Sequence, residues 1–311
     1  MVVKYQYRNL SNPDRIEVYD SQNKWLATLI RDAYTVTLAG TSRTFREWWK
    51  EDDGSRKEVS VTHDVWVRTL PMTFDGNVDT QWIDHALEAN HHSVPDVLAI
   101  ATQYIKGARK IFEGGLQIAG NASYGPLSGP KKKDGSRNRE EGSDFHDYLQ
   151  TDWKYDDGFI DRPQKRQSLC LDCSGFMRMI WGYRHPMVGY GYEDRVPLCL
   201  CPKPDRSAIP RRAYQILDAS PGVQIIQNTG EQVTDFSMIG IGDLVFFDAD
   251  RKDGTLIDHV GMYIGLDNAH RHRFISSRKR ANGPTLGDYG GKSVLDGTGL
   301  YASSFRAVRR L

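Results

Sequence analysis

The feature that most constrains this chain is a change of apolar period near residue 79. Before it, the sequence alternates. Tyr34, Val36 and Leu38 recur at every second position, as do Val59 and Val61, which is the spacing of strands with one buried face. Arg15–Tyr19, Trp25–Ile30, 34–39 and 65–70 are short β-branched or aromatic runs, separated by polar turns such as 20–24. The charged stretch 50–57 contains Asp53 and Gly54 and reads as a hairpin tip. Residues 1–76 are therefore expected to form a small antiparallel β module.

From Asp79 the period becomes helical. Trp82, Ile83, Ala86 and Leu87 make an apolar stripe, with Asp79 or Thr80 as N-cap. A second helix is predicted over 94–106: Pro95 in the first turn, Val97, Leu98, Ala101, Tyr104 and Ile105 on one face, Gly107 after the end. Residues 125–142 carry charge and turn residues without an apolar period and read as an exposed loop, with Lys131, Lys132 and Lys133 at a solvated tip.

Composition excludes some classes of function. Among 311 residues, 41 Lys and Arg face 40 Asp and Glu, for a net charge of +1. Such a chain has no broad positive field for polyanions, so no nucleic-acid partner is expected. An aromatic share of 11% argues against disorder. No apolar run approaches the ~20 residues of a membrane span. The first ten residues, MVVKYQYRNL, lack the uninterrupted apolar core of a signal peptide. The expectation is a cytoplasmic protein, one delivered by a phage, or one secreted with its leader removed.

Four cysteines lie between positions 170 and 201: Cys170, Cys173, Cys199 and Cys201. Phe176, Met179, Ile180 and Tyr183 follow helical spacing, so a helix starts near Cys173. A thiol at a helix N-terminus is expected to have a lowered pKa and to be a better nucleophile. A buried structural cysteine is the competing reading. A four-thiolate zinc site is a further alternative, but a single residue between Cys199 and Cys201 is shorter than zinc spacings usually are. A disulfide among Cys170, Cys199 and Cys201 is another. Downstream, Gly242 and Asp243 make a turn, Leu244–Phe247 a strand, Asp253 and Gly254 a loop, and 256–264 a returning strand. There Val260, Met262 and Ile264 point to one face and His259 to the other, beside Gly261, which would leave space for a substrate.

Taken together, these stretches resemble the NlpC family of papain-like cysteine peptidases of bacterial and phage cell-wall metabolism. The family's D-C-S-G-F/L motif stands here as Asp172, Cys173, Ser174, Gly175 and Phe176. Its G-D-L-V-F-F strand matches 242–247, its H-V-G-I/M-Y-I/L-G strand matches 259–265, and its proline-arginine stretch resembles Ile209, Pro210, Arg211 and Arg212. The resemblance covers 79 to 311 and leaves the first module outside.

The resemblance implies an α+β fold: a papain-like (NlpC-type) domain over 77–311, with helices packed on an antiparallel sheet and a loop insertion near 108–168. It implies Cys173 as nucleophile, His259 as general base and no cofactor or metal. The third catalytic position falls on Ser276, where the family has His, Asn or Gln; Asn268, His270 and His272 are nearby alternatives. The substrate-lining tyrosine falls on Tyr124, with Tyr155 as the alternative, and Asp172 and Ser174 join it as substrate-binding residues. Glu140, Glu141, Asp144 and Asp147 of the insertion read either as a solvated loop or as an acidic wall of the cleft that would favour an amine-bearing substrate. The implied partner is a peptidoglycan stem peptide, cleaved at a peptide or isopeptide bond through a thioester. Alternatives are an amidase or acyl-transferase on another amide substrate, or a non-catalytic wall-binding or phage-tail-type protein on the same scaffold. Oligomeric state is left open.

Overall fold

The computed structural model describes residues 5–51, 53–131, 137–250, 254–287 and 294–311. Five strands open it: β1 (Gln6–Leu10), β2 (Arg15–Tyr19), β3 (Trp25–Ile30), β4 (Thr35–Lys50) and β5 (Arg56–Thr69). They pair in sequence order as an antiparallel meander. The period-two runs lie where the alternation placed them. The last two strands are longer than their apolar cores because a register shift between Ala39 and Arg43 lets one hairpin carry two successive patterns.

Two helices follow. α1 (Thr80–His91) is capped by Asp79, which accepts from the Trp82 N–H. α2 (Val97–Thr102) is capped by Asp96 and is shorter than the predicted 94–106. It starts late because the Asp96 carboxylate is committed: it caps Ala99, accepts from the Val67 N–H at 2.7 Å and pairs with Arg43 at 2.6 Å.

The insertion consists of small ribbons rather than plain loop. β6 (Ile111–Glu113) pairs with β7 (Leu116–Ala119), β8 (Leu127–Ser128) with β9 (Asn138–Arg139), and β10 (Trp153–Lys154) with β11 (Ile160–Asp161). Helix α3 (Phe145–Leu149) lies between the last two ribbons. Lys132 and Lys133, and the Asp253 of the expected loop, lie outside the described residues.

The chain then forms α4 (Cys173–Arg178), a single π-turn over Met179–Tyr183, and α5 (Ala213–Ala219). A six-stranded antiparallel sheet completes it: β12 (Val223–Ile226), β13 (Leu244–Phe247), β14 (His259–Leu266), β15 (His272–Arg278), β16 (Gly283–Thr285) and, after α6 (Leu300–Ser303), β17 (Phe305–Arg310). The order across the sheet is β12-β17-β13-β14-β15-β16. The return strand begins at His259, three residues later than expected.

The helix-packed, papain-like α+β architecture expected above is not what forms. Among the described residues strand accounts for 34% and helix for 16%, in several separate antiparallel sheets with six short helices. The physical reason is local. The stripe after Cys173 supports only six α-helical residues before the ladder widens into the π-turn, and the insertion spends its length on ribbons.

Nor is the meander insulated from the rest. Phe45, Trp49, Val59, Val61 and Val67 belong to the same core as Phe176, Phe246, Val260, Met262 and Leu286. Burial of that shared apolar surface, at roughly 25 cal/mol per Å2, binds the meander to the later sheet. Backbone bonds join them too: the Thr35 N–H donates to the Leu311 carbonyl at 2.7 Å and the Asn268 N–H to the Ser60 carbonyl at 2.9 Å.

Candidate active site

Cys173 is the first residue of α4, and Asp172 caps that helix by accepting from the Gly175 N–H at 2.8 Å. Gly175 is required by packing: a Cβ there would lie 2.2 Å from the Ser143 carbonyl oxygen. The cap is held from behind by a buried guanidinium. Arg211 reaches both oxygens of Asp172, at 3.2 and 2.6 Å, and donates to Ser174 Oγ at 2.6 Å. A second buried pair adjoins it, Arg178 Nε with Asp144 at 3.0 and 3.1 Å. Arg178 also donates to the carbonyls of Cys199 and Ile209 and to the Tyr155 hydroxyl. Two carboxylates and two guanidiniums thus fix the start of α4, with their fork geometries satisfied.

The thiol faces the strand that carries His259. Its Sγ lies 3.9 Å from the Asp258 carbonyl oxygen, and the Val260 N–H is turned towards it. Both neighbours of His259 in sequence therefore contact the thiol. Among the described residues no hydrogen bond joins Cys173 to the His259 ring itself. Instead, His259 Nε2 lies 3.1 Å from Ser276 Oγ. That contact depends on Gly261, whose missing side chain makes room for β15: a Cβ would come within 2.6 Å of Phe274 and 3.0 Å of Ser276. The space expected there for a substrate is filled by protein.

The environment corrects the expected thiolate. Burial, and then the Asp172 carboxylate, push the Cys173 thiol up to about 12, overriding the Val260 N–H and Arg211, which act in the opposite direction. The expectation of a lowered pKa weighed the helix dipole alone; six residues of helix do not offset complete burial next to an anion. Burial, with Arg278 and Lys279 nearby, pushes His259 down to about 3. The resting pair is a neutral thiol and a neutral imidazole.

A cavity of about 180 Å3 opens at the thiol, lined by Tyr124, Glu141, Asp172, Cys173, Arg212 and Asp258, among others. A larger hollow of about 320 Å3, between the meander and residues 237–241, contains neither cysteine nor histidine.

Tyr124 reaches the cavity despite the insertion between it and Cys173. Ser123 bridges to Cys170, and the Leu171 N–H donates to the Ser123 carbonyl at 2.8 Å, so both ends of the insertion meet beside α4. Burial holds the Tyr124 phenol well above its ordinary range. Tyr155 is buried behind the helix, bonded to Arg178. Of the four acidic residues expected as a wall, only Glu141 lines the cavity. Asp144 is bound to Arg178 and caps α3, Asp147 accepts from the Asp144 N–H, and Glu140 pairs with Arg166. Asp172 and Ser174 line the cavity as well, with side chains engaged by Arg211.

The other candidates for the third position are occupied elsewhere. His272 Nδ1 lies 2.8 Å from the Tyr263 hydroxyl, Asn268 accepts from the Ser60 N–H, and His270 sits in the β14–β15 turn with φ 57°. The four cysteines are free thiols, and among the described residues no group of three or more His, Cys, Asp or Glu is arranged to hold a metal ion.

Three neighbours of the site escaped the sequence reading. Tyr301 of α6 lies over the His259 ring, centroids 5.0 Å apart. Arg278 donates through Nε to Ser276 Oγ at 2.8 Å. Glu47 of β4 accepts from Thr285 Oγ1 and from the N–H groups of Leu286 and Gly287. Arg278 was legible in principle, since it stands two residues after Ser276 and so shares its face of β15. No local signal identifies Glu47 or Tyr301.

No helix is long and apolar enough to cross a membrane among the described residues. Comparison of the sequence with protein-family models found no match, and comparison with curated proteins found none.

Proposed function

We propose that the protein is a cysteine hydrolase of amide bonds, with Cys173 as nucleophile and His259 as its proton acceptor. The observation that carries this reading is the thiol at the floor of a cavity, against the two backbone groups that flank a histidine whose far nitrogen is held by Ser276. Because the resting pair is neutral, the thiol proton passes to His259 as sulfur attacks the carbonyl carbon, not beforehand. The C–N bond then breaks, the imidazolium proton goes to the leaving amine, and water releases the acyl group from the thioester. Among the described residues the Cys173 and Ser174 N–H groups meet no acceptor, which suits them to receive an oxyanion.

The three motif stretches around Cys173, 242–247 and 259–265 favour a peptide or isopeptide bond of peptidoglycan stem peptides as the substrate, by resemblance to the NlpC peptidases. Muropeptide mass spectrometry after incubation with the purified chain tests this. Shortened stem peptides with wild type, and none with Cys173→Ala, are expected. Intact stem peptides beside a thiol that reacts with acylating reagents would move the substrate to another amide.

One set of observations favours a second reading, a wall-binding module without catalysis. The thiol is pushed up to about 12, it makes no hydrogen bond to His259, and the cavity is smaller than the roughly 300–1,000 Å3 of common ligand sites. A Cys173 inert to thiol-directed acylating inhibitors, with retained binding to wall fragments, would establish that reading in place of the first.

A further inference from the structure

We infer that Arg278 is a positioning residue that, acting through Ser276, holds the resting His259 in the tautomer with its proton on Nδ1. This rests on Cys173 and His259 being an acid–base pair. A guanidinium donates and never accepts, so at 2.8 Å the Arg278 Nε–H occupies one lone pair of Ser276 Oγ. Ser276 is fully buried, and among the described residues its hydroxyl has one other partner, His259 Nε2 at 3.1 Å. If Nε2 carried the proton, the hydroxyl hydrogen would have no acceptor in a buried site, an arrangement folded proteins avoid. The consistent assignment runs Arg278 Nε–H to Ser276 Oγ, then Ser276 O–H to Nε2, leaving the imidazole hydrogen on Nδ1.

Arg278 is itself fixed. It is buried, donates to the carbonyls of Gly287 at 3.0 Å and Phe274 at 3.2 Å, and lies over the Phe274 and Tyr301 rings. The groups around His259 are Ser276 and Arg278 from β15 and the aromatic Phe247 of β13 and Tyr301 of α6, with Lys279 adding positive charge, while Cys173 of α4 lies against the flanking backbone of Asp258 and Val260. Burial, and then the positive charge of Arg278 and Lys279, keep the ring neutral.

With Nε2 engaged, Nδ1 is the ring nitrogen left for the thiol proton, and in this tautomer it is already protonated. The base is therefore held in reserve. To act, it must shift its proton from Nδ1 to Nε2, which leaves the Ser276 hydroxyl hydrogen without the acceptor it has at rest, and that cost is what opposes the shift. Ser276 then turns from donor to acceptor. The exchange leaves net charge and proton count unchanged.

The test is long-range proton–nitrogen NMR of the full chain with labelled histidine, together with alkylation of Cys173 by iodoacetamide, neither of which needs the substrate. Wild type should show His259 neutral from pH 5 to 9 with Nδ1 protonated; a proton on Nε2 would overturn the inference whatever the variants do. Arg278→Met removes donor and charge. It frees the Ser276 hydroxyl to turn away from Nε2 and so should give a mixture of the two tautomers, raise the His259 titration by about one pKa unit or more and speed alkylation at neutral pH. Arg278→Lys, which keeps charge and donor, should retain the wild-type tautomer. A folded Arg278→Met with unchanged tautomer and titration would overturn the inference. If Cys173 proves to have no amide substrate while His259 behaves as described, the function fails and this assignment stands.

Discussion

Glu47→Ala perturbs the place where the first β module enters the site. Glu47 is a buried carboxylate on β4 that accepts from Thr285 Oγ1 at 2.8 and 2.9 Å, the Leu286 N–H at 2.8 Å and the Gly287 N–H at 3.2 Å. Truncation leaves the Leu286 N–H and the Thr285 hydroxyl without that acceptor. The Gly287 N–H keeps a bond to Thr285 Oγ1 at 2.9 Å. Two stranded donors at about 1–2 kcal/mol each give a loss of about 2–4 kcal/mol. Burying the charge works against this, since burial raises the Glu47 pKa despite its donors and Arg278. The folded form thus holds the proton more tightly than the unfolded chain does. That contribution favours folding below about pH 4.5 and fades as pH rises through the folded pKa. A net loss near pH 7 of about 2–3 kcal/mol is expected, and about half that for Glu47→Gln, which keeps one acceptor oxygen. The assay is urea unfolding followed by far-ultraviolet dichroism and by tryptophan fluorescence. Because the meander and the later sheet share a core, both probes should report one transition, shifted together in the variant. A change below about 0.5 kcal/mol, within the scatter of ordinary surface substitutions, would refute the hydrogen-bond accounting. A meander melting separately from the sheet would refute the shared core.

Three further outcomes are expected. Cys173→Ala and His259→Ala should each abolish turnover in the muropeptide assay, while Ser276→Ala, which loses only an orienting contact, costs less; undiminished turnover in Cys173→Ala would end the proposed mechanism. His259 has a folded pKa depressed to about 3 from 6.5, so its contribution is present above pH 6.5 and is lost as pH falls from there towards 3. Wild type should therefore lose up to about 1.4 kcal/mol per pH unit relative to His259→Gln in that window, measured by urea titrations at several pH values; parallel curves would contradict the neutral imidazole. Arg211→Met leaves Asp172 without a countercharge in the interior, while Asp144 keeps Arg178, and should cost about 3–5 kcal/mol by calorimetry or denaturant, with retained stability counting against the network that anchors α4.

The sequence by itself located the apolar runs of β2 to β5 and a cap for α1 at Asp79 or Thr80, and it placed Cys173 at a helix start and His259 on a strand. These follow from apolar period and capping, which act over a few residues and are written locally. The same patterns misjudged what depends on distant partners. The stripe after Cys173 suggested a helix burying one face through Tyr183, but the α-helical part ends at Arg178 and a π-turn follows. The helix start suggested an activated thiol, but burial and Asp172 decide the pKa, and burial is a property of the assembled core. Gly261 was legible as open space, yet the space belongs to Phe274 and Ser276. The resemblance put Ser276 at the third position with Asn268, His270 and His272 as alternatives, and in the structure it is the Ser276 side chain that stands beside the imidazole. Only the tertiary structure brought Glu47 to residues 285–287 and Arg278 to Ser276. A buried charge must be answered by whatever the fold brings within hydrogen-bond reach, and that partner is set by packing between segments far apart in the chain, not by spacing along it.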